Sequence, residues 1–358
     1  MTKRSFACGM VALVCATTVL LCAFCLPKNP ALLPVGPSSS AILSQTQSPA
    51  MPSFDLGSRF LINRVFVVDD NTVLVLGWED GFLCAAVCDL DTGVRTDILC
   101  LPPVNETELS WKAAASFRDG WYFTTGQRLL VTDADFAVVY EIHFADVGLV
   151  INDCALSPDG NHLVYTDQTG IWVSDLHFAH KKLLEAFVCL DSESDCRFAR
   201  SPIWSKDGTQ ILYEWCSYEV LLGVHVADMN GVTHVVDGSQ ASFLTYTPSS
   251  IVCVNQGGRL DMTSVQTGAC RTILLAPSLC GYDMIAFDQS QDGRAALLAL
   301  VETKTQELRF AVVDLTSGDT VMQTDRGYGA MYIGQSALIG VRDGRTLDAI
   351  PLFLSEKA

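Results

Sequence analysis

Leu156–Leu176 reads LSPDGNHLVYTDQTGIWVSDL, and its reading decides the fold. Ser157-Pro158-Asp159-Gly160 has what a type I turn favours, proline at the second position and glycine at the fourth. His162–Tyr165 is a short β-rich run, and Gly170 turns the chain into a second one ending at Asp175. A hairpin this small cannot bury its own apolar surface, so it has to be one copy of a repeat.

The copies are present. Ser205-Lys206-Asp207-Gly208 and Ser290-Gln291-Asp292-Gly293 restate the turn, and Phe117-Arg118-Asp119-Gly120 is a looser version. Val68–Asn71, Thr247–Ser250 and Ile333–Ser336 fill the gaps. The seven turns begin at positions 68, 117, 157, 205, 247, 290 and 333, a mean step of about 44 residues. That period is the length of a four-stranded propeller blade. The expected fold is therefore all-β, a seven-bladed propeller of four-stranded antiparallel blades. In five blades the third strand closes on an aspartate (Asp89, Asp133, Asp175, Asp228, Asp314), placed to accept backbone N–H groups of the next turn. The last blade is short, and an open outer edge invites edge-to-edge pairing. Phe54–Ile62 is expected to supply its missing outer strand beside Leu347–Leu354.

Three segments follow: an export leader over 1–25, a linker over 26–53 and the propeller over 54–358. Lys3 and Arg4 precede an uncharged run from Phe6 to Leu26, the pattern of a secretory signal or a signal anchor forming an N-terminal export helix. Leu21-Cys22-Ala23-Phe24 before Cys25 resembles the relaxed lipoprotein box of spirochaetal lipoproteins, which implies lipidation at Cys25. Cleavage at a small-residue site and retention as an anchor stay open beside it. Pro27, Pro30, Pro34, Pro37, Pro49 and Pro52 sit among Ser, Gln and Ala, the composition of a disordered tether. The expected location is the bacterial cell envelope, periplasmic or surface-exposed, with the membrane reached through the N-terminus.

The 358 residues carry a net charge of −17, and −19 once residues 1–25 are set aside. Such a chain is repelled by phosphate backbones, so no nucleic-acid partner is expected. Gly-x-Ser-x-Gly is absent, and a sialidase-type Asp box is not formed because Asp and Gly are adjacent and its Trp is missing. Asp191-Ser192-Glu193-Ser194-Asp195 alternates acids like a calcium loop, but Cys196 stands where that loop needs Gly, so it reads as a solvated acidic loop. His177 and His180 lack an evident third ligand. No metal, cofactor or catalytic residue is expected.

Ten cysteines lie in the propeller, and Cys189 with Cys196 is the disulfide expected in an oxidising compartment. Cys84 and Cys88 share a strand face too far apart to bridge each other. Polar residues where the innermost strands begin are the candidate rim and channel contacts: Asn152, Asp153, Arg200, Ser201 and Asp283.

Pro202-Ile203-Trp204-Ser205-Lys206-Asp207-Gly208, the strand through Tyr213, and Val226-Ala227-Asp228-Met229-Asn230-Gly231 resemble the TolB-type (WD-type) propeller repeat. The match covers two blades well and Ser290–Gly293 fairly. It departs from TolB in lacking the α/β domain and in counting seven blades rather than six. The resemblance implies an extracytoplasmic platform for protein–protein interaction, here a monomer binding envelope proteins. The alternative is an envelope hydrolase or lyase with a small-molecule site in the channel.

Overall fold

The computed structural model describes residues 53–352, apart from positions 70, 106–107, 109, 189–195, 218–219, 238–240, 248, 256–258, 277–278, 280–281, 291, 303–304, 306, 325–326 and 335–336. The export helix, Cys25, the linker up to 52 and the acidic loop all lie outside these. Within them no helix is long and apolar enough to cross a membrane.

The described residues form seven four-stranded antiparallel sheets, each running from an innermost to an outermost strand in chain order, except the one that closes the ring. Blade one is β2 (Phe60–Val67), β3 (Thr72–Glu79), β4 (Phe82–Asp89) and β5 (Val94–Leu101). Blade two is β6 (Trp111–Phe117), β7 (Gly120–Thr125), β8 (Arg128–Asp133) and β9 (Val138–His143). Blade three is β10 (Asp153–Leu156), β11 (His162–Thr166), β12 (Gly170–Asp175) and β13 (Lys182–Ala186). Blade four is β14 (Arg197–Trp204), β15 (Ile211–Ser217), β16 (Leu221–Asp228) and β17 (Gly231–Asp237). Blade five is β18 (Ala241–Tyr246), β19 (Ser250–Asn255), β20 (Arg259–Ser264) and β21 (Cys270–Leu274). Blade six is β22 (Tyr282–Gln289), β23 (Ala295–Glu302), β24 (Leu308–Asp314) and β25 (Thr320–Gln323). Blade seven joins β26 (Ala330–Ile333), β27 (Ala337–Arg342) and β28 (Thr346–Pro351) to β1 (Ser53–Asp55).

The closing strand corrects one expectation. Ser53, Phe54 and Asp55 pair with Asp348, Leu347 and Thr346, so the two ends of the described chain share a blade as anticipated. Phe60–Ile62, however, belongs to β2, the innermost strand of blade one. The reason is local. The Asp55 carboxylate accepts the Gly57 N–H at 2.8 Å, and Gly57 takes φ +97°, a conformation that stops a strand. The chain therefore turns after three paired residues and starts a new sheet.

Middle strands are buried on both faces, which is why they read as near-continuous apolar runs. On β3, Val73 and Val75 pack towards blade seven with Ile339 and Leu347, while Leu74 and Leu76 pack towards blade two with Trp111 and Phe123. Comparable clusters join blades two, three and four, then four to five, five to six, and six to seven. Every junction in the circle has an apolar core, so the ring is closed by packing as well as by β1.

The turns explain the repeat at atomic level. Ser157 Oγ donates to Asp159 Oδ1 at 2.6 Å and accepts the His162 N–H at 2.9 Å. Ser205 with Asp207 and Ser290 with Asp292 repeat both bonds. Glycine ends each turn at φ of about +70°, as Gly160, Gly208 and Gly293 show. The Ser hydroxyl pulls the Asp159 and Asp207 carboxyls down to about 2. The aspartates ending the third strands behave as the sequence implied. Asp89 Oδ1 accepts the N–H groups of Asp91 and Thr92, Asp133 those of Asp135 and Ala137, and Asp314 those of Thr316 and Ser317. Asp175 and Asp228 do likewise.

Candidate functional site

The innermost strands carry a run of polar side chains across three adjacent blades. Asp153 opens β10, and its Oδ2 accepts the Ser201 N–H from blade four at 3.2 Å. Ser201 is available because β14 bulges: the register to β15 shifts between Arg200 and Ile203, and Ser201 takes φ +53°. Pro202 follows and has no N–H to return to the ladder. The bulge leaves Arg200 and Ser201 exposed. Arg200 Nε donates to the carboxylate of Glu214, its cross-strand partner. Tyr246, the last residue of β18, donates its hydroxyl to the Ser201 carbonyl from blade five. Burial, with the Glu214 and Asp153 carboxylates close by, raises the Tyr246 phenol well above its ordinary value, so it remains a donor.

Three of the five rim candidates are thus brought together: Asp153, Arg200 and Ser201. Asn152 lies beside them, exposed, with its backbone N–H on the Thr166 carbonyl at 2.9 Å. Asp283 is two blades further round, near the start of β22 and opposite Val301. Glu214 and Tyr246 were not foreseen. Counting outward from the Ser205–Gly208 turn sets Arg200 against Trp215; only the bulge moves it onto Glu214.

A second polar point sits between blades six and seven. Asp288 follows a bulge in β22, where the register shifts between Ala286 and Asp288. Its Oδ2 accepts the Ile333 N–H of β26 at 3.3 Å, and its Oδ1 the N–H of Gln289 at 2.8 Å. Burial outweighs those two donors and pushes the carboxyl up to about 6. Tyr332, with Arg64 close to it, is its neighbour, and burial raises that phenol too.

Chemically, these groups bind one another and the neighbouring backbone. The Ser–Asp pairs are consumed in turns, and His180 Nδ1 is tied to Asp175 at 2.7 Å. Among the described residues no group of three or more His, Cys, Asp or Glu side chains is placed to hold a metal ion. Cys189, the expected disulfide partner of Cys196, lies outside the described residues. What the innermost strands offer is a strip of hydrogen-bonding groups linked across blades three, four and five.

No family model matches the sequence, and no curated protein matches it either. Solved structures do. The chain is similar to the β-propeller domain of Cps50 (Swd1) from Myceliophteria thermophila, with 9% identity, a TM-score of 0.57, 84% of this chain and 99% of that one covered. It is also similar to a chain in the crystal structure of the Mitotic Checkpoint Complex, with 10% identity, a TM-score of 0.56, and 92% and 99% covered. At such identities the likeness concerns the fold alone, and that fold is the seven-bladed β-propeller described above.

Proposed function

We propose that the protein is a non-catalytic interaction platform of the bacterial envelope, its propeller held to a membrane through the N-terminal segment. The observation that carries the platform reading is the polar strip on the innermost strands of blades three to five. There a strand bulge exposes Arg200 and Ser201 while Asp153, Glu214 and Tyr246 hold their backbone and charge in place. A polar strip already held by its own hydrogen bonds loses less side-chain freedom when it binds a protein surface. The tether reading is supported by the basic-then-apolar start, Cys25 and the proline-rich stretch after it. TolB-like kinship remains part of this proposal, resting on the Pro202–Gly208 and Val226–Gly231 segments.

The test is in-cell photocrosslinking of the full chain with a reactive residue at Asn152, compared with one at Val139 on the outer strand of blade two. Capture of one envelope protein from Asn152, weakened by Arg200→Glu, is the expected result. Equal capture from both positions, or capture indifferent to Arg200→Glu, overturns the reading. Fractionation of the same cells tests the tether: release of the full chain from membranes by high salt alone counts against it.

A further inference from the structure

Blade one holds two thiols face to face. Cys84 on β4 and Cys100 on β5 are register partners in the hairpin around Leu90–Gly93, and their Sγ atoms lie 3.1 Å apart. A disulfide requires Cα atoms roughly 4.4–6.8 Å apart and sulfurs at about 2.04 Å. Residues directly opposite on antiparallel strands have Cα atoms about 4.5–5.5 Å apart. The backbone is therefore already at bonding distance, and the sulfurs need to approach by about 1 Å, within reach of side-chain rotation. A register shift between Ala85 and Ala86 puts a bulge directly beside the pair, where local twist is adjustable.

The two thiols differ in access. Cys100 is exposed on the outermost strand of the blade, whereas Cys84 is 2% exposed within the core shared by blades seven and one. Cys88, the other thiol on that face of β4, faces Arg95 rather than a cysteine. Burial, with Cys100 alongside, pushes the Cys84 thiol up to about 12. Cys84 thus stays a thiol until a partner sulfur is activated beside it, and Cys100 is the one a reagent reaches first.

We propose that Cys84 and Cys100 are a redox modification site, at which a low-molecular-weight disulfide converts the pair into a cross-strand disulfide. The Cys100 thiolate attacks one sulfur of the small disulfide, forming a mixed disulfide and expelling one thiolate. Cys84 then attacks the Cys100 sulfur, its proton passing to the second thiolate as that leaves. Two protein thiols lose two electrons and two protons, and one small disulfide becomes two small thiols. The bond fastens the exposed outer strand β5 to β4. Cys84 also carries the carbonyl that accepts the Trp111 indole N–H of blade two at 3.0 Å, so the bond anchors that edge at a residue already tied to the next blade.

The proposal does not rest on the membrane tether or on any partner. The full chain is incubated folded with oxidised glutathione, remaining thiols are alkylated, and tryptic peptides are mapped by mass. Arg95 lies between the two cysteines, so cleavage separates them unless they are linked. The expected result is one linked species two hydrogens lighter than its parts, cleaved by dithiothreitol, retained in Cys88→Ser and lost in Cys100→Ser. A stable glutathione adduct on Cys100 with Cys84 still open to alkylation would overturn the proposal. So would full alkylation of both thiols, or a link that disappears in Cys88→Ser.

Discussion

Asp288→Asn should stabilise the protein at neutral pH and leave it nearly unchanged at pH 4. In the folded chain the Asp288 carboxyl sits at about 6, against 3.8 ordinarily, because burial disfavours its anion more than the N–H groups of Ile333 and Gln289 favour it. That displacement corresponds to about 2–3 kcal/mol between the ionised and neutral forms. The sign follows from linkage. Below the ordinary value both states hold the proton and nothing is lost. Between about 4 and 6 the unfolded chain ionises first and the folded chain keeps the proton, so stability falls as pH rises. Above 6 the whole cost is present and stability no longer depends on this group. The facing groups are Tyr332, Arg64 near that phenol, and the backbone donors already named. Asparagine keeps an oxygen for the Ile333 N–H and cannot ionise. Urea unfolding of wild type and Asp288→Asn at pH 4.0 and 7.5 should therefore show a gain at 7.5 larger by about 2 kcal/mol than any change at 4.0. A difference between the two proteins that is the same at both pH values would refute the reasoning.

Three further outcomes follow from other contacts. Arg128 and Glu108 form a bidentate pair at 3.0 Å with both side chains buried, so Arg128→Met strands a carboxylate in the core and should cost about 3–5 kcal/mol. A loss under about 1 kcal/mol in urea unfolding would show that the pair is not buried in solution. Trp204 donates its indole N–H to the Ala155 carbonyl of the preceding blade at 3.0 Å, and Trp204→Phe should lower stability by about 1–3 kcal/mol. An unchanged midpoint, measured by thermal melting followed in the far ultraviolet, would contradict that role. Removing residues 1–55 takes β1 from β28 and should cause a marked drop in melting temperature or oligomers paired through the bare edge; a monomer melting like the full chain would rule out the closing role.

The fold was legible because a blade is dictated by local chemistry. Ser157–Gly160, Ser205–Gly208 and Ser290–Gly293 contain their own hydrogen-bond partners, so the repeat is visible wherever those residues stand together. The strand-end aspartates are similarly self-contained. Blade closure was legible in outline only: Phe54–Ile62 was expected beside Leu347–Leu354, but of that segment only Phe54 and Asp55 pair there, because the Asp55–Gly57 turn shortens the strand in a way that apolar patterning does not reveal. The rim was legible residue by residue and not as a group. Asp153, Arg200 and Ser201 are polar interruptions that stand out in an apolar chain, whereas Glu214 joins them only through the bulge at Ser201. Tyr246 joins them across a blade boundary, a distance of 45 residues in the chain. Cys84 and Cys100 face each other through a shift at Ala85, which defeats a simple count outward from the turn.

The closing strand has a mechanical consequence. Ser53–Asp55 grips Thr346–Asp348 through three residue pairs, while the other β28 neighbour, β27, is held along its whole length from Ala337 to Arg342. Any pull transmitted from the residues before Ser53 arrives at that short clasp first. The clasp would give way before the apolar core that joins blades seven and one, so the first effect of such a load is to bare the outer edge of blade seven while the circle itself stays shut.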